Sequence, residues 1–278
     1  MTSKRSANSS KSSTPDPIEL QQLRLLAEEI ATVAGNFLLS GFAQERISVG
    51  TKSTGTDMVT EMDRGAEKLI VDAILASRPD DGLLGEEGAQ RESATGFRWV
   101  IDPLDGTTNY LYRHPFWSVS IGIEHRGRPV VGAVKAPMLD MLFSAHSDGG
   151  ATRNGSAIHV GSCNDLGYAL IGTGFGYEPE MREWQGGILH TLLPQVRDVR
   201  RGGSAAIDLC FVAAGHYDGY YECNLNPWDG CAGTVVVREA GGIATSLRGN
   251  EPDSGMTIAG NEFVHDALRT RLRTLIND

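Results

Sequence analysis

W-V-I-D-P-L-D-G-T-T-N, from Trp99 to Asn109, is the stretch on which the reading of this chain turns. A short apolar run, Arg98 to Ile101, predicts a buried strand that delivers Asp102 and Asp105 to one loop, with Pro103 stiffening the turn between them. Two carboxylates about 4 Å apart repel by about 4 kcal/mol at an effective dielectric of about 20. A neighbouring run, Gly82 to Gly85, ends in Glu86-Glu87 and adds to the crowding. Divalent cations relieve such crowding, and oxygen donors are what hard Mg²⁺ prefers. Gly106-Thr107-Thr108 then offers backbone N–H groups at a turn or helix start, where a phosphate could bind.

Working outward, Asp229 stands in Asn226-Pro227-Trp228-Asp229-Gly230 at the predicted start of a helix. Taken singly, each acid has an ordinary structural explanation. Asp229 and Asp63 sit where Asp caps a helix, the latter in a capping box with Thr60. Asp102 alone would shape a turn, and Glu86-Glu87 alone would be a solvated pair.

Apolar spacing predicts helices over Pro17 to Leu39, over a segment after Thr60 that stops before Arg78-Pro79, and over Met181 to Val196. Three more run over Ser204 to Ala214, Trp228 to Glu239 and Glu262 to Leu275. Strands are predicted at Gly82 to Gly85, Trp117 to Ile123, Val130 to Ala136, Met141 to Ala145, Leu170-Ile171, Tyr217 to Glu222 and Met256 to Ala259. Residues 1–16 are rich in Ser, Thr, Lys and Pro and read as a disordered tail without a signal peptide. One domain follows over 17–278, a metal-site half (17–160) and a substrate-site half (161–278).

The 278 residues carry a net charge of −10, so nonspecific nucleic-acid binding through phosphate electrostatics is not expected. An acidic chain that handles an anionic substrate needs a local positive field, which bound cations supply. No apolar run suggests a bilayer span, and four cysteines without a C-x-x-C pair suit a reducing cytoplasm.

Five segments in order, K-S-T-G-T-D-M-V-T-E-M-D (Lys52 to Asp63), G-E-E (Gly85 to Glu87), the Trp99 stretch, R-R-G-G-S-A-A-I-D-L-C (Arg200 to Cys210) and P-W-D-G-C-A-G (Pro227 to Gly233), resemble the inositol monophosphatase family. The resemblance spans about Leu20 to Leu275 and implies an α/β fold, a layered α-β-α-β-α sandwich shared with fructose bisphosphatase. It implies Mg²⁺ held by Glu86, Asp102 and the Leu104 carbonyl at one position and by Asp102, Asp105 and Asp229 at a second. Thr107, oriented by Asp63, would position and activate water with Glu86; Gly106 and Thr107 would face the phosphate. Glu222 and Asp229 would face the substrate, and Gly203, Ser204 and Ala205, which open a helix with Ser204 as its cap, would form a backbone-lined substrate wall. Asn226 departs from the pattern, since many relatives carry His or a basic residue there.

The expected reaction is hydrolysis of a small polyol phosphate, myo-inositol 1-phosphate first, with lithium inhibition and a homodimer implied by the same resemblance. Fructose 1,6-bisphosphatase and histidinol-phosphate phosphatase are the enzyme rivals. A transcription-associated RNA-polymerase partner is the rival without chemistry.

Overall fold

The computed structural model describes residues 15–42, 50–51, 58–59, 61–252 and 254–277. Lys52, the Thr60 cap and residues 1–14 lie outside the described residues. Seven helices occur among the described residues: α1 (Pro17–Phe42), α2 (Glu61–Ser77), α3 (Thr107–Leu111), α4 (Pro179–Leu192), α5 (Ala205–Ala213), α6 (Pro227–Glu239) and α7 (Glu262–Asn277). Helix α1 starts where the sequence places it: Asp16 accepts from the Ile18 N–H through its side chain and from the Leu20 N–H through its carbonyl. By length and composition α1 could cross a membrane, but Leu20, Leu23, Ala27, Ile30, Ala34 and Leu38 form one stripe buried in protein.

An eight-stranded sheet runs in the order Ser156–Ala157, Ala151–Arg153, Met141–His146, Arg128–Ala136, Ser118–His125, Phe97–Asp105, Gly82–Gly85, Gln90–Arg91. A five-stranded sheet runs Asp198–Arg200, Leu170–Thr173, Gly219–Glu222, Thr257–Gly260, Ile243–Ser246. The helices and sheets stack in five layers: α1 and α2, the larger sheet, α5 and α6, the smaller sheet, then α4 and α7. Three apolar clusters fill the spaces, one under α1 and α2, one around α5 and α6, one under α4 and α7. This is the α-β-α-β-α sandwich that the resemblance implies.

The predicted elements all form, with shifted ends. The strand expected to stop at Ile101 runs on to Asp105, so both acids belong to its end rather than to a free loop. Helix α4 begins at Pro179 and stops at Leu192, before Val196, because Pro194 has no N–H to donate and tightens the chain into a 3₁₀ turn over Leu193–Gln195. Gln90–Arg91, Ser156–Ala157, Asp198–Arg200 and Ile243–Ser246, none of them expected, lie at sheet edges. They are short and mostly polar, so they lack the apolar alternation that signals a strand.

Candidate active site

Sheet register explains why acids distant in sequence meet. Gly82–Gly85 lies parallel to Phe97–Asp105 with Gly85 opposite Ile101, so both strands release their chains at the same edge. Glu86 therefore emerges beside Asp102, with its N–H donating to the Ile101 carbonyl at 3.1 Å. The Glu86-Glu87 turn is held by Glu67 of α2, whose carboxylate accepts from the Glu87 N–H at 2.9 Å and the Ala89 N–H at 3.0 Å. Pairing with Ser118–His125 slips between Asp102 and Asp105, a bulge that contains Pro103, the one residue with no N–H for the ladder.

Gly106 follows with φ 92°, and a side chain there would meet the carbonyls of Phe116 at 3.0 Å and Gly203 at 3.1 Å, so the turn into α3 requires glycine. Thr107 opens α3, and its hydroxyl lies 3.0 Å from the Leu104 carbonyl and 3.3 Å from Asp63. Its single proton serves one acceptor at a time, and its lone pairs stay available to a donor.

These residues share a cavity of about 380 Å³ lined by Glu86, Asp102, Leu104, Asp105, Gly106 and Thr107 on one side and by Gly203, Ala205, Glu222 and Asp229 on the other. Tyr177, Arg201 and Asn226 are among its other lining residues. Ser204, expected to open the helix of this backbone-lined wall and to cap it, does so with its side chain turned inward, while Gly203 and Ala205 line the cavity. Ser204 caps α5, accepting from the Ile207 N–H at 3.3 Å, and donates its hydroxyl to Asp105 at 2.5 Å. The backbone N–H of Ala206 also donates to Asp105, at 2.8 Å. Asp229 does cap α6, accepting from the Asn226 N–H at 2.6 Å, while still facing the cavity. The structural and the chemical explanations of this residue hold together.

Burial sets the electrostatics. Asp102 is 2% exposed, and desolvation, followed by the charges of Glu86, Asp105 and Asp229, holds its carboxyl well above the usual range. Asp105 is raised by burial only to about 6, because Ser204 and the Ala206 N–H stabilise its charged form. Burial and the nearby Asp105 push Asp229 up, against the opposing Asn226 N–H bond. Glu222 is raised to about 7 by burial, less than it would be without the Tyr220 hydroxyl, which donates to it at 2.6 Å.

No three of the described His, Cys, Asp or Glu side chains converge as they stand on one ligand position. Three acids are instead turned to protein donors: Asp102 to the Leu104 N–H at 3.0 Å, Asp105 to Ser204 and Asp229 to Asn226. The donor set is all oxygen, crowded, and costly to ionise without a cation, which fits Mg²⁺ and not a thiolate or imidazole metal.

Residues 19–276 match the inositol monophosphatase family. The chain belongs to that family. Inositol-1-monophosphatase of Rhizobium meliloti is 38% identical over 244 residues, covering 85% of this chain and 90% of the relative. Nus factor SuhB of Escherichia coli strain K12 is 37% identical over 257 residues, covering 91% and 96%. The crystal structure of extragenic suppressor protein suhB from Bartonella henselae superposes with a TM-score of 0.86 at 35% identity, covering 91% of this chain and 98% of that one. The inositol monophosphatase fold and a phosphatase family are thereby established.

Sequence reasoning passed over several residues that build the site. Glu67 holds the Glu86 turn, and Asn109 donates to the carbonyls of Phe116 at 2.6 Å and Gly202 at 3.0 Å, tying the acid loop to the opposite wall. Tyr177 and Arg201 line the cavity from segments whose sequence has no periodic signal. Arg201 does fall within the Arg200 to Cys210 segment that carries the resemblance, but its role, like that of Tyr177, follows from its position after a strand end.

Proposed function

We propose that the protein hydrolyses a small polyol phosphate monoester with Mg²⁺, myo-inositol 1-phosphate before fructose 1,6-bisphosphate or histidinol phosphate, with inhibition by lithium. The observation that carries this reading is the set Glu86, Asp102, Asp105 and Asp229 gathered on one cavity with Thr107 and facing Glu222. Glu86, Asp102 and the Leu104 carbonyl would hold one Mg²⁺, and Asp102, Asp105 and Asp229 a second. Bound there, the ions would supply charge neutralisation and polarisation for an in-line displacement at phosphorus.

The chain's own groups do the positioning. With the Leu104 carbonyl engaged elsewhere, the Thr107 proton turns to Asp63, and the Thr107 oxygen accepts from the attacking water. Glu86 accepts from the same water. Backbone N–H groups of Gly106 to Thr108 donate to phosphoryl oxygens. Across the cavity, one Glu222 oxygen is held by Tyr220 and the other accepts from ring hydroxyls of the leaving alcohol.

The inositol-1-monophosphatase name of the Rhizobium meliloti relative supports the substrate class. The test is phosphate release by the full chain from inositol 1-phosphate, fructose 1,6-bisphosphate, histidinol phosphate and nucleotides, with Mg²⁺, with added lithium and with EDTA. Release of phosphate from inositol 1-phosphate, fastest of the set and lost in EDTA, is the expected result; full activity in EDTA overturns the metal mechanism. The name Nus factor on the Escherichia coli relative favours a second role in transcription, as a partner of RNA polymerase. Polymerase capture by a catalytically dead Asp102→Asn protein would separate that role from turnover. A cytoplasmic setting and a homodimer belong to the same proposal, the latter checked by light scattering.

A further inference from the structure

Three strand ends of the smaller sheet point at the leaving-group side of the cavity. Asp198–Arg200 and Gly219–Glu222 flank Leu170–Thr173 and run parallel to it, so all three release their chains at one edge. Arg201 follows the first strand, Tyr177 lies just beyond the second, and Glu222 ends the third, and all three line the cavity. Arg201 and Glu222 thus start two strand spacings apart, about 10 Å at the backbone.

Arg201 is placed rather than loose. Its guanidinium lies over Gly203, where an added Cβ would collide with Nη1, and Gly203 has φ 91°, which favours glycine. Asn109 pins the intervening Gly202 carbonyl at 3.0 Å. Arg201 makes no hydrogen bond or ion pair with another described residue, although its field reaches Glu222, Asp208 and Tyr177. Among the described residues it is the one basic side chain lining a cavity whose other charged lining is acidic. A guanidinium held in that position presents a planar fork suited to phosphate or carboxylate.

We propose that Arg201 forms a second-anion subsite that takes a phosphate or carboxylate carried on the leaving group of the ester. The inference rests on the phosphatase reading above, with the scissile phosphate at the acid cluster. Glu222 favours a leaving group that offers hydroxyls and repels one that carries charge. Arg201 offsets that repulsion, so the two residues rank substrates in opposite directions. Inositol 1-phosphate keeps its first place, and esters with a second anion are admitted through Arg201.

The experiment compares kcat/KM for inositol 1-phosphate, fructose 1,6-bisphosphate and 3-phosphoglycerate on wild type, Arg201→Ala and Arg201→Lys. Arg201→Ala should lower the values for the two esters that carry a second anionic group about tenfold relative to inositol 1-phosphate, mainly through KM. Arg201→Lys should recover part of the loss. A fall for only one of the two upholds the subsite and fits it to that group, phosphate or carboxylate. Equal change across all three esters, or none, overturns it. Should wild type hydrolyse none of them, the phosphatase reading fails instead. Calorimetric binding of fructose 1,6-bisphosphate then still decides the subsite: weaker binding to Arg201→Ala upholds it, and equal binding overturns it.

Discussion

The two edges that face each other across the cavity are built by opposite means. The edge of the larger sheet is local and homogeneous: Glu86, Asp102 and Asp105 leave adjacent strands, and burial, followed by their mutual repulsion, keeps Asp102 well above the ordinary carboxylate range. The edge of the smaller sheet is assembled from three distant segments and is mixed in charge, with Arg201 facing the same space as Glu222. The first edge concentrates one kind of group to the point where a cation is needed. The second distributes different groups to sort leaving groups. Under the proposed function chemistry falls to one side and selectivity to the other, and the two should fail differently.

The largest failure is expected at the acid edge. Asp102→Asn and Asp229→Asn should each lower kcat/KM for inositol 1-phosphate by more than about a thousandfold. Each replacement keeps shape and removes charge, so the metal-free variants should melt at or above the wild-type temperature. Variants that melt far below wild type would show these acids to be structural caps, and the contrast between the two edges would collapse.

Next in size is Thr107→Ala, which removes the hydroxyl proposed to bridge Asp63 and the attacking water but leaves the backbone N–H. We expect kcat to fall by about a hundredfold with KM nearly unchanged. Wild-type kcat with a raised KM would move Thr107 from positioning water to holding substrate.

A smaller effect, and one confined to the other edge, is expected of Glu222→Gln. Its loss should reduce the preference for inositol 1-phosphate over fructose 1,6-bisphosphate by about tenfold while sparing the Mg²⁺ dependence. An unchanged ratio would take Glu222 out of the selective wall.

The smallest effect is in the pH dependence of stability. Glu222 is raised from 4.5 to about 7 on folding, so the native chain holds its proton more tightly than the unfolded chain does. Its contribution is fully present below the unfolded value and is lost as pH rises through about 7. The melting temperature of metal-free Glu222→Gln, relative to wild type, should therefore increase from pH 5 to pH 8. A flat difference would mean that the carboxyl is not desolvated.

The contrast between the edges also explains what the sequence could disclose. Asp102, Asp105 and Thr107 stand within a few residues of each other, so their chemistry survives as a motif that needs no topology. The apolar stripe of α1 likewise announces itself by spacing. Arg201 stands within a quoted segment, but neither it nor Tyr177 has a spacing that discloses its role, because what makes them neighbours is the parallel alignment of Asp198–Arg200, Leu170–Thr173 and Gly219–Glu222. The inward bond of Ser204 was hidden for a related reason. A serine that opens a helix looks the same whether its hydroxyl faces a ligand or a buried carboxylate, and only the fold brings Asp105 to it.

Helix α6 has a consequence beyond the site. Its residues from Gly230 to Val237 are buried, and it packs against strands of both sheets while its first turn supplies Asp229. It therefore belongs to neither half of the chain. Peeling away either sheet strips one of its faces and also displaces an acid of the cluster, so the fold and the catalytic constellation are lost as one cooperative unit. Divergence in such an architecture is channelled toward the cavity lining, where Arg201 can change without disturbing the shared rib.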